Sequence, residues 1–581
     1  MGGNGGLSYR QLAARVLMGL ALASGPACAA FAQAIDIAPL LTPPVPKVVP
    51  TPTPEVLRSL PPPAVPPEAI PPGPALRIDD VRIEGVTVYD PATLRPYYAD
   101  LIGQTVPRER LLAVVEALQT RYRAEGYILT TVHGAAEQRG GRQIFVIRAI
   151  EGYVSNVTLA GDIGEAGELA RRILQHLVDI RPVNNANLER YLLLVNDIPG
   201  LAASGVLRRA GPDPGAVELV VEVQRTPFYT QFQYDNRGSQ EVGPHEALLV
   251  GQANAFTSYG AQLQAMLFNT FNREELFGQV DATAFLDSEG LKLRGYFGRG
   301  NTQPGGALTG AGFNADLQIG GLNLSYPIIR SRRLNLSVDG SIDTYDSAVD
   351  TFAAGGKASE THLRMLRFGG VFSAQDDAFA DLPAANTAVL KASQGMSGFG
   401  ASSNTSVLPA RVGNVIDFWK VTGEFTRVQN LIPIGDVQPA LKLSFGGQFT
   451  NNILPPSEEY LLGGTRFGRG FFAGQVAGDR ALAASVELQL NTGWAGASPL
   501  GPGRRLDVQF YGFFDYGRAY NLIPASVDRT IDSVGIGARS DLAPWLFVEL
   551  EGVHRLTTHA SGALAKPDSK YAVFSRVVLR H

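Results

Sequence analysis

From Phe228 onward the chain runs in a period of two. Leu334, Leu336 and Val338 alternate with Asn335, Ser337 and Asp339, and Leu441, Leu443, Phe445 and Phe449 alternate with Lys442, Ser444 and Gln448. Leu546, Val548 and Leu550 alternate with Phe547, Glu549 and Glu551, and Leu291, Leu293 and Phe297 with Lys292, Arg294 and Tyr296. Such runs put apolar side chains on one face of a strand and wet ones on the other. A soluble sandwich has the same period, but its polar face lies outside and it rarely reaches roughly 350 residues. Residues 227–581 therefore predict a membrane β-barrel, of about sixteen antiparallel strands at roughly 22 residues per strand and turn.

Parity then assigns sides within the barrel. In LDVQFYGFFDYG, Leu506, Val508, Phe510 and Phe514 share one face, and Asp507, Gln509, Tyr511 and Asp515 share the other, so Asp515 points away from lipid. In the strand expected over Leu482 to Asn491, Val486, Leu488 and Leu490 oppose Ser485, Glu487 and Gln489, which places Glu487 in the lumen. The glycine-rich segment 461–478, containing GGTRFGRGFFAGQVAG, alternates poorly and reads as a long loop. A barrel this wide leaves a lumen that side chains cannot fill, so the loop can fold inward. There the Arg469 guanidinium can meet the Asp515 carboxylate as a planar fork. Gly470 allows a close backbone turn.

Upstream, the period changes to two copies of a β-α-α-β-β pattern, over residues 76–152 and 153–226. In the first, Arg77 to Val88 reads as a strand anchored by Val81, Ile83 and Val86, followed by helices over Ala92 to Leu101 and Arg108 to Glu125. Leu111, Val115, Leu118 and Tyr122 recur at helical spacing and Gly126 supplies the stop. Strands over Tyr127 to His133 and Gln143 to Glu151 close the copy. The second runs as a strand (Tyr153 to Ala160), two helices (Glu165 to Val178, Asn187 to Asn196) and two strands (Ala203 to Arg208, Val217 to Gln224).

Before these modules, residues 1–34 read as a secretory signal peptide. Arg10 and Arg15 precede an apolar stretch from Val16 to about Ala32, broken at Gly25-Pro26 and followed by small-residue cleavage patterns. Residues 35–75 are proline-rich and predict an extended polyproline II spacer, with at most one helical turn over Glu55 to Leu60. Cys28 is the only cysteine, so the mature chain is thiol-free, without disulfides or cysteine metal sites. No later stretch is apolar for the ~18 residues a membrane helix requires. The formal net charge of −4 gives no reason to expect nucleic acid. No G-x-x-x-x-G-K-[ST] or H-E-x-x-H occurs, and Gly395-Met396-Ser397-Gly398 lacks the last glycine of a nucleophile elbow. The chain reads as no enzyme, with neither cofactor nor metal.

The RGF run Arg469-Gly470-Phe471 and the FxDxG run with Phe513, Asp515 and Gly517 resemble those of the POTRA-barrel superfamily. In the second module, LERYLLLVNDIPG, with Leu192, Leu193, Asn196, Asp197, Pro199 and Gly200, looks like a phrase of the second POTRA domain in two-partner secretion transporters. Taken with the signal peptide, linker and two modules, the chain resembles the ShlB/FhaC/HecB-type (TpsB) transporters over nearly its whole length. The resemblance implies a sixteen-stranded outer-membrane barrel in a Gram-negative bacterium with two periplasmic POTRA domains. It also implies Arg469, Gly470 and Phe471 at the tip of a lumenal loop, docked on Phe513, Asp515 and Gly517, with Glu487 beside them.

The implied function is secretion, without nucleotide, of a haemolysin- or haemagglutinin-like β-helical exoprotein of TpsA type, bound through the POTRA domains. Outer-membrane lipid and the barrel assembly machinery are the other implied partners. Candidate strand edges for capturing the exoprotein are Tyr127 to His133 and Ala203 to Arg208. A BamA- or TamA-like assembly factor shares the plan, but usually with more POTRA copies, and a passive porin would leave both modules unused. Two departures stand out: the proline-broken N-terminal region offers no plug helix, and the chain ends at His581 where the family usually ends in an aromatic residue, the nearest phenylalanine being Phe574.

Overall fold

The computed structural model describes residues 57–58, 75–238, 242–352, 354–494, 505–524, 526–560 and 567–581. The expected signal peptide, Cys28 and most of the proline-rich linker lie outside the described residues.

The period-two region closes into a barrel of sixteen strands, each antiparallel to its neighbours. They are β1 Phe228–Asp235, β2 Glu246–Asn254, β3 Gln262–Thr270, β4 Glu275–Phe285, β5 Lys292–Thr302, β6 Asn314–Arg330, β7 Leu334–Thr351 and β8 Gly356–Phe379. The second half is β9 Leu382–Gly395, β10 Trp419–Asn430, β11 Gln438–Phe449, β12 Arg480–Trp494, β13 Leu506–Tyr520, β14 Arg529–Ala543, β15 Leu546–Arg555 and β16 Tyr571–Arg580. Every strand has a hydrogen-bonded neighbour on both sides, the arrangement that lets strands span a membrane without helices. Leu482, Val486, Leu488, Leu490, Phe510 and Phe514 are exposed on the outside, whereas Ser485, Glu487, Gln489 and Asp515 are buried inside, as parity requires.

The wall is uneven in height. Strands β6, β7 and β8 have 17, 18 and 24 residues, where about 9–11 residues suffice to cross a bilayer. On the module side β8 passes to β9 through Ala380 and Asp381, both at positive φ, as a two-residue hairpin turn of primed type demands. The opposite end carries the long connections 396–418 and 450–479. The ring closes where β1 meets β16, through five registered pairs from Gln231↔Arg580 to Asp235↔Arg576. Thr230 and the terminal His581 exchange two further backbone bonds of 3.1 and 2.9 Å. Asn236 adds side-chain bonds to the backbone of Val573 and Ser575. The next shortest junctions, β1 with β2 and β3 with β4, have eight registered pairs each.

The first module is a three-stranded sheet in which Arg142–Ile150 lies between Asp80–Glu84, parallel to it, and Thr131–Arg139, antiparallel. Helix Arg108–Ala124 buries Leu111, Val114, Leu118 and Tyr122; Val115, expected in this stripe, is only half-buried. Burial pushes the Tyr122 hydroxyl well above its ordinary pKa, and it donates to Glu151 at 2.7 Å. The long helix expected over Ala92 to Leu101 is instead a short helix, Pro91–Leu94, and two 3₁₀ turns, since Pro96 supplies no donor to continue the ladder. The strand expected over Tyr127 to His133 begins at Thr131 and runs to Arg139, because Tyr127 and Thr130 donate back to Tyr122 and Tyr127 in a turn.

The second module packs helices Gly167–Asp179 and Asn185–Asn196 on a four-stranded sheet. Three of its strands are Tyr153–Gly161, Ala216–Arg225 and Leu201–Arg209. The fourth is Leu57–Arg58 from the linker, parallel to Gly205 and Val206. The helical turn expected over Glu55 to Leu60 therefore gives way to a strand at Leu57 and Arg58, and the rest of that span lies outside the described residues. A proline-flanked chain is already extended, and an edge strand offers it unpaired donors and acceptors.

Candidate functional site

The connection between β11 and β12 folds into the barrel. Its stem is a short hairpin, Tyr460–Leu462 against Val476–Gly478, and its tip is closed by Gly463 N–H donating to Phe467 at 2.8 Å and Gly464 N–H to Phe471 at 2.9 Å. Tyr460, Leu462, Phe467, Phe471 and Val476 then bury themselves against Ala481, Ala483, Ala519 and Ile531 of the wall. Gly517 is required at this contact: a β-carbon there would sit 2.9 Å from Leu462.

The packed loop delivers Arg469 to the wet face of β12 and β13. Its Nε donates to Asp515 Oδ2 at 3.0 Å, Nη2 to Asp515 Oδ1 at 2.9 Å, and its backbone N–H to Oδ2 at 2.8 Å. The other edge of the guanidinium pairs with Glu487, Nη2 also reaches Ser485 at 3.0 Å, and the plane lies 3.6 Å from the centre of the Phe513 ring. Ser485 in turn donates to Asp515 at 2.7 Å. Arg469, Asp515 and Glu487 are 7, 0 and 1 % exposed. A charge assembly so dry holds only if each charge is paired and hydrogen-bonded. Gly470 lies against β14, where its N–H donates to Ser533 Oγ at 3.2 Å and a β-carbon would come within 2.6 Å of Ser533 Cβ. Phe471 is fully buried in the loop's apolar contact.

The six barrel residues singled out in the sequence thus converge with Glu487 on one place. Several partners were not foreseen. Arg237, just past β1, donates to the Arg469 carbonyl at 2.7 Å, pairs with Glu551 at 2.6 Å and stacks 4.2 Å from the Phe574 ring centre. Arg555 bonds the Gly470 carbonyl, and Arg539 reaches Glu487 at 2.9 Å. Period-two parity puts Ser533, Arg539 and Arg555 on the wet face, a signal that was available; Arg237 lies outside any periodic run.

The second motif builds a joint between module and barrel. Leu192 and Leu193 fill the module core. Asn196 ties helix to strand, donating to Leu192 and Ala203 carbonyls at 2.9 Å each and accepting from Ala203 N–H at 2.8 Å. Asp197 leaves the module and takes Arg330, at the end of β6, bidentately at 2.9 and 2.8 Å. Pro199 and Gly200 then turn the chain, and Gly200, at φ +78°, lies against the barrel where a β-carbon would be 2.5 Å from the Asn254 β-carbon at the end of β2. Around Asp197, Glu189 accepts from Arg332 N–H at 2.8 Å and Tyr191 donates to Glu289 at 3.0 Å. Asp197→Ala is expected to loosen this joint by about 1 kcal/mol, since both side chains remain partly wet. Spin-label distances between module and barrel check it: they should broaden in the variant and stay narrow in Glu189→Gln, which keeps the fork.

The strand edges proposed for exoprotein capture fare differently. Thr131–Arg139 lies at an edge of its sheet. Leu201–Arg209 does not, because Leu57–Arg58 pairs with its middle.

Residues 316–540 match the family model of the haemolysin secretion/activation proteins ShlB/FhaC/HecB, and residues 76–152 match that of the ShlB-type POTRA domain. The heme/hemopexin transporter protein HuxB of Haemophilus influenzae is 21 % identical over 413 residues, 67 % of this chain and 68 % of the relative. Among solved structures, CdiB from Escherichia coli superposes with a TM-score of 0.70 at 16 % identity, over 89 % of this chain and 94 % of that one. CdiB from Acinetobacter baumannii gives 0.62 at 15 % identity, over 88 % and 91 %. At these identities the two structures speak for the fold.

Proposed function

We propose how this chain, which belongs to the ShlB/FhaC/HecB-type two-partner secretion transporters of the outer membrane, moves its partner exoprotein. The carrying observation is the lumenal loop: an element packed inside a closed barrel, with its tip seated on a dry cluster around Arg469, is a stopper that can be released without opening the wall. The exoprotein is of the haemolysin- or haemagglutinin-like β-helical class. It arrives unfolded and adds a strand to the free edge Thr131–Arg139 of the first POTRA domain, where backbone bonds give affinity without demanding a sequence. It then passes the lumen beside the displaced loop and folds outside, and its folding free energy opposes return.

No nucleotide takes part. The absence of a phosphate loop from the sequence supports this, and the transport scheme requires no catalytic group. The exposed apolar belt, with Leu482, Phe445 and Phe510, faces outer-membrane lipid. Insertion falls to the barrel assembly machinery, and in the inserted barrel His581, just past β16, is bonded to Thr230. In the closed barrel Phe574 is buried on the inner face.

A photo-crosslinking residue at exposed Gln138 is expected to capture the exoprotein in transit, and vesicles carrying the purified transporter should take up unfolded exoprotein with no nucleotide added. Normal secretion with no crosslink at any position of Thr131–Arg139 would remove the edge from the scheme. Surface exoprotein that persists after deletion of the chain, with other outer-membrane barrels depleted, would replace secretion by an assembly role.

A further inference from the structure

A second buried charge cluster sits on the lumenal loop at a place the scheme above leaves unused. Glu458 lies in a 3₁₀ turn, Pro456–Glu458, on the limb that enters from β11. Its carboxylate receives Arg367 of β8 through two bonds, Nη2 to Oε1 at 2.7 Å and Nη1 to Oε2 at 3.1 Å. Lys420 of β10 approaches the same carboxylate at 2.9 Å and donates to the Glu458 carbonyl at 2.7 Å. Gln448 of β11 donates to that carbonyl at 3.0 Å. Behind Arg367, Asp343 of β7 takes its Nε at 3.0 Å and is itself held by the Tyr296 hydroxyl at 2.7 Å. Glu458 is 4 % and Lys420 7 % exposed.

These partners occupy β5, β7, β8, β10 and β11, whereas Arg469 and Gly470 are held by β12 to β15. The loop is therefore fastened to two adjoining arcs of wall, the first of which also receives Arg466 on Glu424 of β10. A single fastening leaves a loop free to swing about that point. Two fastenings on different arcs hold it as a chord across the lumen.

We propose that Glu458 is a second positioning residue for transport, clamping the entering limb of the loop to Arg367 and Lys420, so that clearing the pore requires release of this clamp as well as of Arg469. The inference rests on the reading of the loop as the element that closes the pore.

The test is ion conductance of the purified full transporter in planar lipid bilayers, with heat-modifiable gel mobility as the measure of a folded barrel. Glu458→Gln keeps the size of the side chain and removes its charge; it is expected to raise mean conductance at least threefold with mobility unchanged. Lys420→Met, which leaves Arg367 on Glu458, should raise it less, and Glu458→Gln with Lys420→Met should match Glu458→Gln alone, because both act through one clamp. Glu458→Gln combined with Asp515→Asn should exceed either single change, because two clamps are then lost. A structural role alone would lower mobility shifts without raising conductance. If Glu458→Gln does not insert, Lys420→Met carries the same comparison. Conductance raised by Arg469→Ala but unchanged by Glu458→Gln and Lys420→Met overturns the second clamp alone. Conductance unchanged by Arg469→Ala overturns the closing loop and this inference together.

Discussion

Arg469→Ala is expected to cut secretion at least tenfold while leaving a folded, inserted barrel. The guanidinium stands between Asp515 and Glu487, both essentially without solvent contact. Its removal strands the Asp515 carboxylate and leaves Glu487 with Arg539, and a broken buried pair costs about 3–5 kcal/mol, the lower end where water enters the lumen. That energy falls on the position of the loop, which when unseated leaks ions but no longer withdraws as one body to pass a polypeptide. The sixteen-strand ladder does not depend on it, since every strand keeps both neighbours. Asp515→Ala should match it, because it removes the acceptor of three Arg469 donors. Exoprotein in the medium and heat-modifiable mobility of the transporter measure the two quantities separately. Unchanged secretion in both variants would refute the role of the pair.

Gly463→Ala is expected to do comparable damage from a residue that carries no charge. Gly463 has φ +102°, a conformation that L side chains rarely adopt, and an added β-carbon would run into the Phe472 carbonyl oxygen. The strain of such a φ is on the order of 1–3 kcal/mol, and a backbone oxygen cannot swing aside as a side chain would. The tip therefore fails to close, Phe471 leaves its apolar seat, and Arg469 loses its approach. Gly552→Ala, on β15 with open space around it, serves as the control and should secrete normally. Equal secretion by the two variants would show that the tip conformation does not matter.

Much of this was readable in advance because its causes are local. Alternation shows a strand's two faces directly, which is why the sequence alone places Asp515 and Glu487 in the lumen. The pairing of Arg469 with Asp515 came from motifs, since strand parity shows which way a residue points and not what arrives opposite it. Arg237 was invisible for that reason: its partners Arg469 and Glu551 lie 232 and 314 residues away, and it sits in no periodic run. Leu57–Arg58 escaped for another, as a two-residue strand has no period and its pairing is decided by the edge it meets. Glu458 was hidden within Pro455-Pro456-Ser457-Glu458, where the prolines suggest only a turn. In the first module Pro96 stopped a helix that side-chain spacing alone would continue.

The junction of β1 and β16 has a mechanical consequence. Pressure on the inside of a closed ring becomes hoop tension, which is the same at every junction around the circumference. The ring therefore yields where resistance per junction is least, and with five registered pairs that place is the junction between the first and last strands. Hydrocarbon offers the parted edges no replacement bonds, so any yielding there is brief unless another strand fills it. Arg237 sits at this junction from within, stacked on Phe574 of β16 and bonded to the carbonyl of Arg469. The same residue that fastens the loop tip thus also braces the weakest rung of the hoop, and withdrawing the loop slackens that brace.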